Sequence, residues 1–374
     1  MSKIVYNNKC NNNPDLPTIL PPVNRIIAIG DVHGDLQLVI DSLIISKVIV
    51  PIKSKINSIP VKLGNKTTNY EWIGGDTIVV QIGDQNDSCR PHVTGGCDYL
   101  ENDTPDDIKI FKFYNDLNQL AAKKNGAVYS LLGNHEIMNV EGDFKYTSNA
   151  NINMFKTYND PITKKKLVGD AESNRMEAFF NGKEYANLLG CTRQSVLIIG
   201  EFLFVHAGIT DYVKNKFPGR ENLPKLNDMV KKWLLQQMST LNDRTMNDLL
   251  NSSENSLFWT RIFGQLPPKL SYNDDDCKQY LHPVLEAYGI KGMIIGHTPQ
   301  EIGINSTCGN TLFRIDIGAS KAFDSKRAPQ VLEIEKLSDG NYKYTVIFQK
   351  DEIYNAIVPN DIKSFERLDT RLPN

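Results

Sequence analysis

The chain has 374 residues, of which 40% are hydrophobic and 23% charged, so a sizeable core is available and disordered or fibrous classes are excluded. Its 44 acidic and 42 basic residues leave a net charge of −2, which predicts neither nucleic-acid binding nor attraction to an anionic membrane. The apolar runs are too short to span a bilayer, and the first residues lack the apolar stretch of a secretory signal. We therefore expect a soluble protein that is cytoplasmic or otherwise intracellular.

Six cysteines are present, and none of them forms a Cys-x-x-Cys pair. This pattern argues against both a disulfide framework and a zinc ribbon, and it favours free thiols in a reducing compartment. Cys89, His92 and Cys97 share one predicted loop, but a fourth zinc ligand is missing and the spacing fits no zinc pattern. We expect this loop to carry unpaired thiols.

The chain begins with a predicted flexible tail over residues 1–24, which are rich in Asn and Pro. Residues 25–30 then form an apolar run without polar alternation, which is typical of a strand buried on both faces. Asp31-Val-His33-Gly34 follows directly, and the amphipathic run 35–46 predicts a helix. Ligands of α/β sheets bind at this carboxyl end of the strands, so the polar residues there are candidate site residues.

The same unit recurs along the chain, because further apolar strands end in a small residue and a polar group able to bind metal. The predicted strands of this kind are 25–30, 77–82, 127–132, 202–205 and 293–295. Further predicted elements are helices over 106–124 and 172–189 and strands over 196–199, 312–317, 331–337 and 342–348. We expect one domain over 25–350, with a lid-like insertion near 141–170, a helical segment near 211–262 and a C-terminal tail over 351–374.

Polar side chains at the strand ends form one candidate site: Asp31, His33, Asp84, Asn134, His135, His206 and His297. The chain has six histidines, and four of them directly follow a buried-strand pattern, which ordinary core histidines do not explain. Imidazole combined with carboxylate and amide oxygens suits Mn, Fe, Zn or Co, whereas Mg and Ca favour oxygen ligands alone. The ligands are too many for one catalytic ion with an open position, and they fit two ions that share a carboxylate.

Five motifs resemble, in order, those of the calcineurin-like metallophosphoesterases: Gly30-Asp31-Val-His33-Gly34, Gly83-Asp84-Gln-Asn-Asp87, Gly133-Asn134-His135-Glu136, His206-Ala-Gly208 and Gly296-His297-Thr298. The last motif lacks the second His of Gly-His-x-His, and the stretches 257–261 and 314–320 resemble the bacterial-type branch of the phosphoprotein phosphatases. The resemblance covers roughly residues 25–335. It implies an α/β fold, a four-layer α/β/β/α sandwich of two mixed sheets flanked by helices.

The resemblance also implies the metal ligands: Asp31 and His33 for the first ion, Asp84 as the bridge, and Asn134, His206 and His297 for the second. We interpret His135 as the general acid for the leaving alkoxide and Asp87 as the carboxylate that orients its ring. The alternative for Asp87 is a carboxylate that caps its own loop. Arg261 and Asn134 are expected to contact the substrate phosphate, with a surface salt bridge as the alternative role of Arg261.

One departure from the family pattern Gly-Asp-x-x-Asp-Arg-Gly concerns the phosphate-binding arginine. Ser88 follows Asp87 where the pattern has Arg, and Cys89 and Arg90 come next. Either Arg90 reaches the phosphate from a rearranged loop, which we favour, or Arg261 binds the phosphate without it.

We expect the protein to hydrolyse phosphomonoesters, and a serine/threonine-type protein phosphatase is the hypothesis that we favour. It would use two divalent or trivalent ions (Mn, Fe or Zn) and in-line attack by a metal-bound hydroxide. The alternative is a pyrophosphohydrolase of dinucleoside polyphosphates or RNA caps, which would share the metal centre and differ in the loops. A phosphoryl-binding module without activity is disfavoured by the complete ligand set. The expected partner is a phosphorylated substrate, a phosphoprotein or a nucleotide, and neither a membrane nor a nucleic acid is indicated.

Overall fold

The structure is a computed structural model that describes residue 10, residues 16–97, 103–238, 243–323 and 327–348, and the backbone of 366–369. Within these ranges the chain forms eighteen strands. In chain order they are β1 (Ile19–Leu20), β2 (Arg25–Ile29), β3 (Ile49–Ile52), β4 (Ile59–Leu63), β5 (Lys66–Trp72), β6 (Ile78–Gln81), β7 (Ala127–Leu131), β8 (Thr157–Asn159), β9 (Lys166–Val168), β10 (Arg193–Gln194), β11 (Val196–Ile199), β12 (Phe202–Val205), β13 (Gly292–Ile295), β14 (Asn305–Thr307), β15 (Leu312–Arg314), β16 (Gln330–Lys336), β17 (Tyr342–Phe348) and β18 (Glu366–Asp369).

Two large mixed sheets form the centre of the molecule. One has six strands in the order β1-β11-β12-β13-β15-β14, and the other has seven in the order β10-β7-β6-β2-β16-β17-β18. Strands β2, β6 and β7 run parallel to one another, and β12 runs parallel to β13. Two small antiparallel sheets, β3-β5-β4 and β8-β9, are added outside this frame.

Twelve α-helices are present in the described part of the chain. They are α1 (Leu36–Ile45), α2 (Pro91–Thr94), α3 (Asp107–Ala122), α4 (Asn134–Glu141), α5 (Asn149–Asn153), α6 (Ala171–Phe179), α7 (Glu184–Thr192), α8 (Asp211–Lys216), α9 (Leu223–Leu234), α10 (Arg244–Leu250), α11 (Ile262–Gln265) and α12 (His282–Tyr288). Two 3-10 helices (Arg220–Asn222 and Lys321–Phe323) and a π-helix (Cys277–Leu281) complete the helical elements.

Strand residues alternate between two hydrophobic layers, because successive side chains of a strand point to opposite faces. In β2, Ile26 packs between the two large sheets, whereas Ile27 packs with the residues of α1 and α3. In β12, Phe204 packs between the sheets and Leu203 packs with the residues of α7, α9 and α12. The predicted four-layer α/β/β/α sandwich of two mixed sheets is therefore confirmed.

Most strands of the two large sheets that were predicted occupy their positions within one or two residues, and the hairpin between β16 and β17 forms as expected. β15 ends at Arg314, three residues before the predicted end. The helix predicted over 172–189 is in fact two helices, because Phe180 adopts an extended backbone that ends α6. The polar stretch predicted as an insertion contains α5 and the β8-β9 hairpin. The β3-β5-β4 sheet was not predicted at all.

Two short strands lie in the regions predicted as tails. β1 pairs in parallel with β11, joining Ile19 to Ile198, and β18 pairs in parallel with β17. A strand of two residues is too short to produce a recognisable periodicity, and β1 is held by its neighbour rather than by its own sequence. Most of residues 1–24 and 351–374 lie outside the described residues.

The prediction of unpaired thiols is wrong, because all six cysteines form disulfides. Their pairs are Cys10–Cys191, Cys89–Cys97 and Cys277–Cys308, separated by 181, 8 and 31 residues. The spacing of cysteines along a sequence does not determine which of them meet in space, and only their even number hinted at pairing. With this result, the expectation of a reducing compartment loses the observation on which it depended.

Candidate active site

The candidate site lies where the carboxyl ends of five strands meet. β2, β6 and β7 are neighbours in one large sheet, β12 and β13 are neighbours in the other, and one motif follows each of these strands. Because the strands of each set are parallel, their carboxyl ends lie at the same edge. The seven predicted polar residues are all buried there: Asp31, His33, Asp84, Asn134, His135, His206 and His297.

Asp84 lies at the centre of this set. Its Oδ2 atom is 3.4 Å from Nε2 of His206, 3.7 Å from Nε2 of His33 and 3.8 Å from Nε2 of His135. Asp84 belongs to two groups of possible ligands, and within each group the ligand atoms lie within 4.8 Å of one another. One group is His33, Asp84 and His135, and the other is Asp84, His206 and His297. A single carboxylate common to two ligand groups is the arrangement required to bridge two ions.

The hydrogen bonds of His206 and His297 turn their lone pairs toward the oxygen of Asn134. His206 Nδ1 donates to the Ile82 carbonyl at 3.0 Å, which leaves Nε2 as an acceptor 3.0 Å from Asn134 Oδ1. His297 Nε2 donates to the Trp259 carbonyl at 3.1 Å, which leaves Nδ1 as an acceptor 2.9 Å from the same oxygen. In their neutral forms the two rings present acceptors to an acceptor, and a bound cation would satisfy all three atoms, so this donor set fits a metal.

Asp31 gives a second indication that a cation belongs here. Its Oδ2 lies 3.8 Å from His33 Nε2, and its Oδ1 is buried without a hydrogen-bond partner. Burial, together with the negative charges of Asp316 and Asp84, raises the pKa of Asp31 well above its ordinary value. A bound cation would offset this cost and satisfy the buried oxygen.

Two histidines of the centre are held in the neutral form that binds metal. Burial and the neighbouring Arg90 lower the pKa of His33 well below its ordinary value, and burial with His206 and Arg261 does the same for His297. Burial opposes the ionisation of Asp84, but the adjacent histidines outweigh it and lower its pKa. Burial opposes protonation of His206, but the adjacent Asp84 outweighs it and raises the pKa of His206. The centre therefore combines two neutral imidazoles, His33 and His297, with an ionised Asp84 that is paired with His206.

His135 and Asp87 form a buried pair beside the metal ligands. His135 Nδ1 lies 2.8 Å from Asp87 Oδ2. Asp87 also accepts a hydrogen bond from the Thr147 hydroxyl at 2.7 Å, and Asn139 Nδ2 donates to both of its oxygens at 3.0 Å. Burial would raise the pKa of Asp87, but His135 and the nearby Arg175 guanidinium outweigh it and lower the pKa. An ionised Asp87 thus fixes the ring of His135, with Nε2 directed at Asp84.

Sequence reasoning missed the residues that support this pair. Asn139 Oδ1 accepts from Arg175, whose Nη2 also lies 2.9 Å from Asp107 Oδ2, and both Arg175 and Asp107 have no exposed surface. The Asp87 backbone N–H donates to Asp107 Oδ1 at 3.2 Å, which closes the network. No motif marked Arg175 or Asp107, and an arginine inside a predicted helix gave no signal of full burial.

Glu136 is a further supporting residue, although it stood in a quoted motif without a role. Its carboxylate accepts the backbone N–H groups of Asp84 at 2.9 Å, Gln85 at 2.7 Å and Gly133 at 2.6 Å. These bonds tie the start of α4 to the loop after β6, and so fix Asp84 relative to Asn134.

The local backbone is adapted to bring the carboxylates close. A side chain at Gly133 would lie 2.1 Å from Asp84 Oδ1, and one at Gly296 would lie 2.2 Å from Asp31 Oδ1. Four non-glycine site residues adopt a left-handed backbone: His33 (φ 38°), Asp84 (φ 53°), Asp87 (φ 71°) and His297 (φ 64°). Such strained conformations cluster at functional sites, where the surrounding structure enforces them.

The two candidate phosphate-binding arginines lie on different sides of the centre. Arg90 Nη2 lies 2.7 Å and 2.8 Å from the ring nitrogens of His33 and 3.4 Å from His135 Nε2, and its guanidinium contacts the rings of Tyr146 and Phe323. Arg261 is exposed at the rim, and its Nη1 lies 3.5 Å from the His297 carbonyl oxygen. Arg90 therefore points toward the histidines of the centre.

Comparison with known proteins agrees with this geometry. The family model for calcineurin-like phosphoesterases matches residues 24–301. The chain belongs to this family. The calcineurin-like phosphoesterases hydrolyse phosphoric esters, and this chain is accordingly a hydrolase of that class with a metal-binding centre and phosphorylated substrates.

Individual relatives extend over most of the chain. The uncharacterized protein R398 of Acanthamoeba polyphaga mimivirus is 34% identical over 254 residues, which is 64% of this chain and 99% of that protein. Shewanella-like protein phosphatase 2 of Arabidopsis thaliana is 26% identical over 93% of this chain and 84% of its own length. A crystal structure of the cold-active protein-tyrosine phosphatase of a Shewanella species shares the fold, with a TM-score of 0.57, 19% identity, and coverage of 88% of this chain and 82% of that one.

Helices capable of crossing a membrane are missing from the described residues, since none is both long and apolar enough.

Proposed function

We propose that this phosphoesterase is a dinuclear-metal protein phosphatase of the serine/threonine type. The observation that carries the proposal is the Asp84 carboxylate, which two separate ligand groups share beside the buried His135–Asp87 pair. The relatives described as Shewanella-like protein phosphatases support a phosphoprotein substrate.

Asp31, His33 and Asp84 would hold one ion, and Asp84, Asn134, His206 and His297 would hold the other. When bound, two such ions neutralise the charge of phosphoryl oxygens and lower the pKa of a bound water molecule toward neutrality. The mixed imidazole and oxygen ligands favour Mn, Fe or Zn.

His135 determines which esters the site can cleave. Serine and threonine alkoxides are poor leaving groups, and their departure requires a proton from a positioned acid. His135 Nε2 points into the centre while Asp87 holds its Nδ1 atom at 2.8 Å. An aryl ester such as phosphotyrosine needs this proton much less, so the buried pair supports an alkyl phosphoester as the substrate.

Arg90 is the group best placed to bind the phosphoryl oxygens, since its guanidinium lies between His33 and His135. A guanidinium can form paired, charge-assisted hydrogen bonds to a phosphate. Arg261, at the exposed rim beside His297, is placed to contact the same group from the opposite side. If both bind one phosphoryl group, Arg90→Ala and Arg261→Ala should each raise KM, and the losses of the double variant should not add.

A substrate panel tests the proposal. The purified protein, supplied with Mn, is assayed on serine, threonine and tyrosine phosphopeptides, para-nitrophenyl phosphate and a dinucleoside tetraphosphate, with Asp84→Asn as the inactive control. The expected result is the highest kcat/KM on the serine and threonine peptides. A clear preference for the tyrosine peptide or for the dinucleoside tetraphosphate would overturn the serine/threonine assignment, and the latter would establish a pyrophosphohydrolase.

A further inference from the structure

The Cys89–Cys97 disulfide lies immediately beside Arg90. It joins residues eight positions apart and encloses the short helix α2 together with Arg90. Cys89 has no exposed surface, and its backbone N–H donates to the Tyr146 carbonyl at 3.0 Å. Cys97 is half-buried, and its carbonyl accepts the Asn149 N–H at 3.3 Å. Both ends of the loop are thus joined to each other and to the segment 146–149.

The direction of the Arg90 side chain depends on this loop. Arg90 Nη1 donates to the carbonyls of Asp87 at 3.1 Å and Cys89 at 2.7 Å, so the guanidinium folds back over its own main chain. The residues that follow within the loop include the exposed His92 and Val93, which add little packing to hold it in place. A covalent bond between positions 89 and 97 therefore supplies a constraint that packing of the loop does not.

The same loop carries the departure from the family pattern. Ser88 occupies the position of the usual arginine, and its hydroxyl accepts a hydrogen bond from Asn151 at 3.2 Å rather than pointing into the centre. Arg90 comes two residues later, and its guanidinium nevertheless lies against His33 and His135. To reach the centre from this later position, the chain after Asp87 must turn back, and the disulfide closes that turn.

We infer that the Cys89–Cys97 disulfide is a positioning element that holds Arg90 over the phosphate site, and that its reduction weakens phosphate binding. This inference rests on the proposed function, because it assigns to Arg90 the binding of a phosphoryl group. It gives the enzyme a form of lower substrate affinity that a thiol or phosphine reductant produces.

A phosphine reduces the Cys89–Cys97 disulfide in two steps. The phosphorus attacks Sγ of the half-buried Cys97, the S–S bond breaks, and Cys89 leaves as the thiolate. Water then transfers its oxygen to phosphorus, so the phosphine is oxidised to its oxide while two protons from solvent complete the two thiols.

The experiment compares four forms of the manganese-loaded protein: wild type, Cys89→Ser/Cys97→Ser, Arg90→Ala, and the combination of all three substitutions. Calorimetry measures the Kd of inorganic phosphate, and steady-state assays give KM and kcat for para-nitrophenyl phosphate. Cys10→Ser/Cys191→Ser is the control that removes another partly exposed disulfide.

We expect the loss of the disulfide to raise the phosphate Kd and the KM by roughly tenfold or more, with a smaller effect on kcat, as for the loss of a charged hydrogen bond. Arg90→Ala should give the same rise, and the triple variant no further one. The control should keep the wild-type Kd.

Two outcomes would overturn the inference: a lower melting temperature with an unchanged phosphate Kd, or a further rise of Kd when the disulfide is removed from Arg90→Ala. If the double serine variant does not fold, phosphine treatment of the folded wild type gives the same comparison, with alkylation of the new thiols and peptide mapping to show which bond has opened. The phosphate Kd is measured without turnover, so it tests this inference independently of catalysis. A protein that binds phosphate but cleaves no phosphomonoester would refute the proposed function, and the change of Kd on loss of the disulfide would still decide the inference.

Discussion

Replacement of His135 by alanine removes the proposed proton donor while leaving the predicted metal ligands in place. Loss of a general acid costs about 10²–10⁴ in rate on an ester with a poor leaving group, or about 3–5 kcal/mol of barrier. The 2.8 Å bond to Asp87 is a buried, charge-assisted one of about 1.5–3 kcal/mol, so Asp87→Asn should cost about tenfold to a hundredfold. Because Asp87 acts through His135, the double variant should lose no more than His135→Ala alone.

The assay compares leaving groups and counts metals. Hydrolysis of a phosphoserine peptide is measured beside para-nitrophenyl phosphate, whose phenolate leaves without much protonation, and each variant is analysed for bound ions by mass spectrometry. His282→Ala is the matched control, since that residue stacks on Tyr272 in another part of the fold. We expect a large loss on the peptide, a small loss on the aryl ester, and two ions retained.

Equal losses on both esters would refute the general-acid role. Loss of one ion would refute it in a different way, because His135 also lies within ligand distance of His33 and Asp84. In that case His135 would be a ligand of the first ion and the acid would have to be sought elsewhere.

Three further predictions follow from the same contacts. Asp84→Asn should abolish hydrolysis and lower the metal content, because two nearby cations need a shared anion; two ions with near-normal turnover would exclude the bridge. Arg175→Ala should lower the free energy of unfolding by about 3–5 kcal/mol, since it leaves Asp107 buried without its partner. Lys232→Ala, which breaks an exposed ion pair, should cost under about 1 kcal/mol. Equal denaturation midpoints for these two variants would contradict the prediction. Burial raises the pKa of Asp107 to about 7, so the stability that its proton contributes is present below about pH 4 and lost as the pH rises through 7. The free energy of unfolding should therefore fall more for wild type than for Asp107→Asn between pH 5 and 8. Parallel plots of unfolding free energy against pH would argue against the raised pKa.

The strands and the polar residues at their ends were predictable because both are local signals. Ile26 and Ile27 face different layers, so β2 appears in the sequence as an unbroken apolar run, and its end is marked at once by Asp31 and His33. The parallel arrangement of such strands then implies that distant motifs share one edge. The position of the centre therefore follows from local patterns, without the contacts across it.

What the sequence did not predict depends on contacts between distant segments. Arg175 meets Asp107 across 68 positions, and Cys10 meets Cys191 across 181. No periodicity or motif records such a meeting, because neither partner changes the pattern of its own element. The direction of the Arg90 side chain likewise depends on distant contacts, since it is decided by a loop closure and by the Tyr146 and Phe323 rings.

The left-handed backbone at His33, Asp84, Asp87 and His297 sets stability against activity in this fold. Each such conformation costs about 1–3 kcal/mol for a residue with a side chain, and glycine adopts it without that cost. Glycine at any one of these positions would therefore relieve the backbone cost and, in the same change, remove a side chain that the centre needs. Such a variant would be inactive without being unfolded, so loss of activity at these four positions does not indicate loss of the fold.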